Sequence, residues 1–252
     1  MFTHQMMRLK TVQANALKAA FEVLKDILND VNIYFTKEGL RILTLDTARA
    51  ALVDFTLSAE NFEEYVCDED CVAGINITNA FKTLKIISNN DTLSMEINNR
   101  EHVHITIENE NKKSKTEFKL KMLDIDEDLI ELPEVEMNMA TVLPSVDFQR
   151  ICRDMSNLAT EMKITRKEKQ IIFSCVGDFA DQQTYLECND LFEGTLEGTC
   201  SLKYLNMFTK ATGMCANVQI MMESDMKFFV LHYNVANLGE VKFYLATKAE
   251  EC

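Results

Sequence analysis

The sequence predicts an α+β protein made of two similar domains, each with two short helices and antiparallel sheets. Two observations predict this class. Apolar residues recur at helical spacing in only a few short segments, whereas strand-like segments are many and follow one another as in hairpins. Segments of the second half also repeat segments of the first half, at an offset close to half the length of 252 residues. Such internal repetition indicates duplication of one domain.

The repeat is carried by three pairs of segments that occur in the same order in both halves. In the clearest pair, GINITNAFKTLK (Gly74–Lys85) and TCSLKYLNMFTK (Thr199–Lys210) each run from a short apolar strand into a helical segment that ends in lysine. The other two pairs are Asp91–Ile97 with Ala216–Met222 and Ala16–Leu28 with Asp147–Ala159. Three matches in one order argue against chance.

Four helices are predicted from the spacing of apolar residues. Leu17, Phe21 and Leu24 share one face of the first helix. Thr78 and Ser145 are the predicted N-caps of the second and third helices, because a hydroxyl can accept a hydrogen bond from the first turn. The predicted helices are Gln13–Asn29, Asn79–Ser88, Ser145–Asn157 and Leu202–Thr212, and the predicted strands include Asn32–Phe35, Leu40–Leu45, Ala51–Leu57, His102–Glu108, Glu117–Met122, Ile171–Cys175, Thr184–Cys188 and Phe228–Tyr233.

An acidic segment separates the two halves. Residues 124–136 (DIDEDLIELPEVE) contain one of the two prolines and no basic residue, a composition typical of a solvated connector. The predicted division is an N-terminal domain at 1–123, a connector at 124–137 and a C-terminal domain at 138–252. The connector also contains Ile125, Leu129, Ile130 and Leu132. These apolar residues either fasten the connector to the body or form part of a docking surface, and the residues alone favour neither.

Composition excludes several classes of protein. No apolar run approaches the roughly 18–20 residues of a membrane span, and the start of the chain lacks the apolar core of a signal peptide. We therefore expect no membrane partner. The eight cysteines contain no C-x-x-C pair, so we expect reduced, buried thiols and no metal site. Cofactor and catalytic motifs are also absent, and His102 and His104 lack a third ligand. The residues therefore offer no nucleophile, base or cofactor cradle in one constellation, although composition by itself does not exclude an enzyme.

Basic charge is concentrated on the predicted helices of an otherwise acidic chain. The formal net charge is −14, yet the four helical segments together carry +4, which leaves −18 for all other residues. Each helix carries two basic residues three or seven positions apart, so both lie on one face. An exposed basic pair on one helix usually only faces solvent. The same arrangement in four related helices favours a shared surface that binds phosphates independently of base sequence. The pairs are Lys18/Lys25, Lys82/Lys85, Arg150/Arg153 and Lys203/Lys210.

The chain resembles the proliferating cell nuclear antigen family, the eukaryotic-type DNA sliding clamps, over nearly its whole length. The resemblance is carried by FEVLKDILNDV (Phe21–Val31), KMLDIDEDLIELPE (Lys121–Glu134), LPSVDFQRICRDMSNL (Leu143–Leu158), LKYLNMFTKAT (Leu202–Thr212) and NLGEVKFYLATK (Asn237–Lys248). It implies the DNA-clamp fold and a ring of three chains with the helices inside and the sheets outside. It also implies a non-catalytic processivity factor that encircles duplex DNA and tethers DNA polymerase and other replication and repair proteins.

The resemblance assigns residues to three surfaces. The eight helical cations fall on the family's DNA-facing positions, and Lys121 joins them. The partner-peptide pocket beside the connector would comprise Leu45, Ala50, Leu52, Ile130, Leu132, Phe228, Tyr244, Leu245 and Ala246. Subunits would meet through sheet edges near Lys113–Lys121 and Asp181–Cys188, with Phe118 and Tyr185 as apolar contacts. Thr247 departs from the family, which usually has proline in this stretch.

The expected partners are duplex DNA, DNA polymerase, proteins with a peptide motif, a clamp loader and further copies of the chain. The expected location is the nucleus, or the site of viral DNA replication if the source is a virus. No cofactor is expected. Two alternatives stay open at this point. One is a divergent clamp, viral or of checkpoint type, that is monomeric or part of a hetero-ring, and the other is an interaction scaffold that does not bind DNA.

Overall fold

The computed structural model describes residues 6–126, 130, 132, 137–223 and 227–248. The chain divides into two compact units. Unit 1 contains the described residues up to Thr47, together with Val53–Ile130 and Asn234–Val241, and unit 2 contains those of Ala48–Leu52, Glu131–Tyr233 and from Lys242 onward. Most of the predicted connector at 124–137, including Leu129, lies outside the described residues, so its boundaries stay a prediction.

Unit 1 combines two helices with two antiparallel sheets. One sheet has five strands in the order β5-β1-β7-β8-β9, and the other contains the order β4-β3-β2-β6. Along the first sheet, β8 alternates buried and half-buried residues throughout, as expected where only one face is packed. The elements are β1 (Met7–Thr11), α1 (Ala14–Leu24), β2 (Asp30–Thr36), β3 (Gly39–Leu45), β4 (Ala51–Ser58), β5 (Glu64–Cys67), β6 (Cys71–Asn76), α2 (Ile77–Leu84), β7 (Thr92–Ile97), β8 (His102–Asn109) and β9 (Ser114–Lys121).

Unit 2 again has two helices and antiparallel strands. Four strands follow the order β10-β13-β14-β15, and two long strands, β11 and β12, form a separate hairpin. The register of this hairpin shifts around Glu168, which has a positive φ of 49°. The elements are β10 (Met137–Pro144), α3 (Ser145–Ser156), β11 (Glu161–Val176), β12 (Asp181–Ser201), α4 (Leu202–Phe208), β13 (Asn217–Glu223), β14 (Phe228–Val235) and β15 (Gly239–Ala246), with a 3-10 turn at Thr209–Gly213.

The apolar faces predicted for the helices form the cores. Leu17, Phe21 and Leu24 are at most 3% exposed, and Phe21 meets Phe55 edge-to-face with ring centroids 6.5 Å apart. In unit 2, Phe208 stacks on Phe243 at 4.7 Å. Such ring pairs add to the free energy gained by burying apolar area. The predicted α+β class is confirmed. Within the described residues, no helix is long and apolar enough to cross a membrane.

The two predicted N-caps are wrong. Helix α2 begins after Asn76, whose side-chain oxygen accepts a hydrogen bond from the Asn79 N–H at 2.9 Å. Ser145 is itself the first residue of α3, and its hydroxyl donates to the carbonyl of Cys215 at 2.6 Å. The Ser145 hydroxyl is therefore bonded to a residue 70 positions away in the chain instead of to the first turn of α3. Local sequence spacing does not reveal such a contact.

Two tyrosines provide a matched test of hydroxyl burial. The Tyr233 hydroxyl is buried without a hydrogen-bond partner among the described residues, whereas the Tyr65 hydroxyl donates to the carbonyls of Thr36 and Gly39 at 2.9 and 2.7 Å. We expect Tyr233→Phe to leave the free energy of unfolding unchanged or to raise it by about 1 kcal/mol, and Tyr65→Phe to lower it by about 1–2 kcal/mol. Urea denaturation of both variants measures the difference, and a loss at Tyr233 as large as that at Tyr65 would contradict the assignment.

Candidate nucleic-acid interface

Seven of the nine predicted DNA-facing side chains are exposed. In unit 1 these are Lys82, Lys85 and Lys121, and in unit 2 they are Arg150, Arg153, Lys203 and Lys210. Their positions differ in detail from the prediction. Lys85 directly follows α2 as its C-cap, Lys210 lies in the 3-10 turn after α4, and Lys121 is the last residue of β9.

The two basic residues on or next to α1 are less exposed, because Lys25 contacts α2 and Lys18 contacts the loop after α2. Lys18 donates from its Nζ atom to the carbonyl of Ile87 at 2.8 Å. Lys25 pairs with Asp26 at 3.0 Å and lies 5.2 Å from the centre of the Phe81 ring, a distance typical of a cation–π contact. These lysines fasten α1 to the segment of α2, so part of their role is structural.

A buried carboxylate lies beside Lys18 at the loop after α2. Asp91 accepts hydrogen bonds from the Asn109 side chain and from the Ser88 N–H. Burial raises the pKa of Asp91, but these hydrogen bonds and the nearby Lys112 and Lys18 outweigh it and leave the pKa below its ordinary value. The carboxylate therefore stays ionised near neutral pH and helps hold the loop against the end of β8.

Three of the predicted DNA-facing cations of unit 2, Arg150, Arg153 and Lys203, make weak contacts. Arg150 lies 3.4 Å from Asp147 and Arg153 lies 3.8 Å from Asp154, with the arginine side chains 63% and 68% exposed. The Nζ atom of Lys203 lies 5.9 Å from the Tyr204 ring. Exposed ion pairs of this kind contribute at most about 1 kcal/mol. A phosphate can therefore displace the carboxylate partner at little cost.

Unit 2 brings together several residues of the predicted partner-peptide pocket. The Ala246 N–H meets the Ala50 carbonyl at 3.5 Å, and the Thr247 N–H donates to the carbonyl of Lys227, next to Phe228, at 3.0 Å. A proline at position 247 has no N–H, so this chain gains a hydrogen bond that the family's usual residue cannot form. Phe228, Tyr244 and Leu132 are half-buried, Ala246 is exposed, and Leu52 and Leu245 are buried.

Unit 1 holds the other two predicted pocket residues, Leu45 and Ile130, both half-buried. Ile130 lines a largely apolar cavity of about 410 Å³ together with Tyr34, Leu40, Leu43 and Leu57, whereas Leu45 does not line it. The sequence prediction missed this cavity. The sequence contained one indication of it. Leu43 is an apolar residue on the half-buried face of β3, between Arg41 and Leu45.

The two predicted subunit-contact segments are sheet edges. Among the described residues, β9 pairs with no strand other than β8, and residues 181–188 at the start of β12 pair with no strand other than β11. Phe118 on β9 is half-buried, and the Tyr185 side chain on β12 is 57% exposed. Residues 114–121 carry three lysines and one glutamate, whereas residues 181–188 carry two acidic residues and no basic one. The two edges are therefore opposite in charge.

Comparisons with known proteins agree with the resemblance. The family model described as proliferating cell nuclear antigen, N-terminal domain, matches residues 6–130, and the corresponding C-terminal domain matches residues 131–248. The chain is also 36% identical over 250 residues to the probable DNA polymerase sliding clamp 1 of Paramecium bursaria Chlorella virus 1, covering 94% of this chain and 95% of that protein. The predicted duplication of one domain is confirmed by the two matches. The protein belongs to the proliferating cell nuclear antigen family of DNA sliding clamps.

Proposed function

We propose that this protein is a homotrimeric sliding clamp that encircles duplex DNA and acts as a non-catalytic processivity factor for DNA polymerase. The observation that carries the proposal is the set of exposed cations on or next to α2, α3 and α4, in a chain whose formal net charge is −14. Lysine and arginine bind phosphates through long-range attraction that does not depend on base sequence. Contacts of this kind let a ring move along DNA.

Closure of the ring rests on the two free sheet edges. We propose that β9 of one copy pairs with the start of β12 in the next copy, with Phe118 and Tyr185 at the contact. Pairing satisfies the N–H and C=O groups that an edge strand otherwise leaves unpaired. The positive charge of one edge and the negative charge of the other favour this pairing over contact between identical edges.

The solution mass is the first experiment. Light scattering at micromolar concentration, in low and in physiological salt, is expected to give three times the chain mass of 28.9 kDa. A mass of one chain would leave the fold intact but would contradict encirclement. DNA would then be held only by an open basic face, whose binding falls steeply with salt.

Replication proteins are proposed to dock through short peptides on the residues predicted for the partner-peptide pocket. Peptide partners of this kind place a few apolar or aromatic anchors into a preformed site, and these anchors supply most of the binding energy. A clamp loader is a further expected partner. The proposed location is the nucleus or, because the Chlorella virus protein is similar, a site of viral DNA replication.

The double variant Ile130→Ala with Leu132→Ala tests the pocket. Truncating two half-buried apolar residues removes anchor contacts, so we expect peptide affinity to fall by about tenfold or more. Calorimetry with a partner peptide measures the affinity, and light scattering checks that assembly is unchanged. Unchanged affinity would remove these residues from the pocket.

A further inference from the structure

Two cysteines face each other across the short turn between β5 and β6. Cys67 is the last residue of β5 and Cys71 is the first residue of β6, with Asp68, Glu69 and Asp70 between them. The Cys67 thiol donates to the carbonyl of Glu69 at 3.3 Å, the two thiols are close enough to interact with each other, and each residue is 7% exposed. Both are free thiols, and the proposed clamp function makes no use of them.

The backbone on either side holds the two sulfurs in place. Cys67 is paired with Met7 of β1, and Cys71 is paired with Phe35 of β2. Each cysteine is thus fixed by the hydrogen bonds of a different sheet of unit 1. Prior positioning of this kind favours reaction within the chain over reaction with a second molecule.

A cavity lies beside one of the two cysteines. Cys71 lines a cavity of about 930 Å³ in unit 1 together with Arg100, His102 and Lys121, and the carboxylates of Asp70 and Glu101 also face it. A cavity of this volume admits a molecule the size of a drug or short peptide. Cys67 does not line this cavity, so an incoming reagent meets Cys71 first.

We propose that Cys67 and Cys71 form a dithiol–disulfide pair that is oxidised by small-molecule disulfides of the glutathione class. The Cys71 thiolate attacks one sulfur of the reagent, the reagent's S–S bond breaks, and one small thiol leaves as a mixed disulfide forms. The Cys67 thiolate then attacks the Cys71 sulfur, the Cys67–Cys71 bond forms, and the second small thiol leaves. Two electrons pass to the reagent, and the two thiol protons of the chain balance the two released thiolates.

Oxidation of this pair joins the two sheets of unit 1 by a covalent bond. The Cys71 end of the bond lies three residues before Gly74, which forms a bridge with Leu123, the residue that precedes the predicted connector. Burial raises the pKa of Cys71 to about 11 and also raises that of Cys67. Because the thiolate is the reactive form, oxidation at neutral pH is slow, on the scale of minutes to hours.

The test uses the purified, reduced full-length protein and oxidised glutathione. A protease that cleaves beside acidic residues cuts between the two cysteines, so the fragments carrying Cys67 and Cys71 remain joined only if the disulfide has formed. We expect joined fragments by mass spectrometry without reduction, and separate fragments after reduction. Persistent glutathione on Cys71 in the wild type, or modification of the more exposed Cys215 without joined fragments, would overturn the proposal.

A second pair of thiols provides the control. Cys152 and Cys200 of unit 2 interact with each other but are 0% and 1% exposed, so we expect them to remain reduced under the same treatment. The variant Cys67→Ser lacks the second thiol and is expected to keep glutathione on Cys71. If that variant fails to fold, the fragment pattern of the wild-type protein still shows whether the Cys67–Cys71 disulfide forms. Oxidation of Cys152 and Cys200 at the same rate would show general unfolding instead of a specific reaction.

Discussion

The double variant Lys82→Glu with Lys210→Glu is expected to lose most of the stimulation that this protein gives to a DNA polymerase on primed DNA. Both side chains are exposed, one at α2 and the other in the turn after α4. Each reversal replaces a cation that attracts phosphate with a carboxylate that repels it. Loss of several phosphate contacts around a ring lowers DNA affinity by about tenfold or more, and the loss is larger in low salt.

The control is a second double reversal that changes net charge equally but lies off the helices. Lys37 and Lys167 are both exposed, the first between β2 and β3 and the second on β11. Lys37→Glu with Lys167→Glu is expected to retain most of the stimulation. Primer extension at several salt concentrations measures both variants, and light scattering confirms equal assembly. An equal loss in both variants would indicate a general charge effect, and no loss in either would contradict the proposed DNA-facing surface.

The variant Phe118→Glu is expected to convert the proposed trimer into single chains. Phe118 lies on the edge strand β9, which already carries Glu117. An added carboxylate would face the acidic edge at Asp181–Cys188 of the next copy and would remove an apolar contact. Burying an unpaired charge costs several kcal/mol, enough to dissociate the ring at micromolar concentration. Light scattering would then give a mass near 28.9 kDa.

The opposite edge of the same sheet supplies the matched control. Val66 is 41% exposed and lies on β5, the other outer strand of the five-stranded sheet. Val66→Glu makes the same kind of change at an edge that is not assigned to the subunit contact, so the trimer is expected to persist. If Val66→Glu dissociates the protein and Phe118→Glu does not, the contact involves the other edge.

Much of the fold could be predicted because the spacing of apolar residues along the chain indicates which face of an element is buried. Leu17, Phe21 and Leu24 form a core face as their spacing predicts, because the period of a helix brings such residues together whatever the rest of the chain does. The lengths of β11 and β12 could not be predicted. Residues 167–170 are all exposed and bear no alternating pattern, and β11 continues past the register shift at Glu168 because the segments on both sides of it pair with β12.

The sequence by itself determined the α+β class, the duplication, the family and the candidate basic surface, since these depend on local periodicity and on repeated segments. The tertiary structure decided which side chains are available. It placed Lys18 against the carbonyl of Ile87, turned Ser145 toward Cys215 and put Cys67 beside Cys71. The first two contacts join residues far apart in the chain, and the third depends on two different sheets. Side-chain spacing within one element carries no information about such contacts, which arise only when the elements pack.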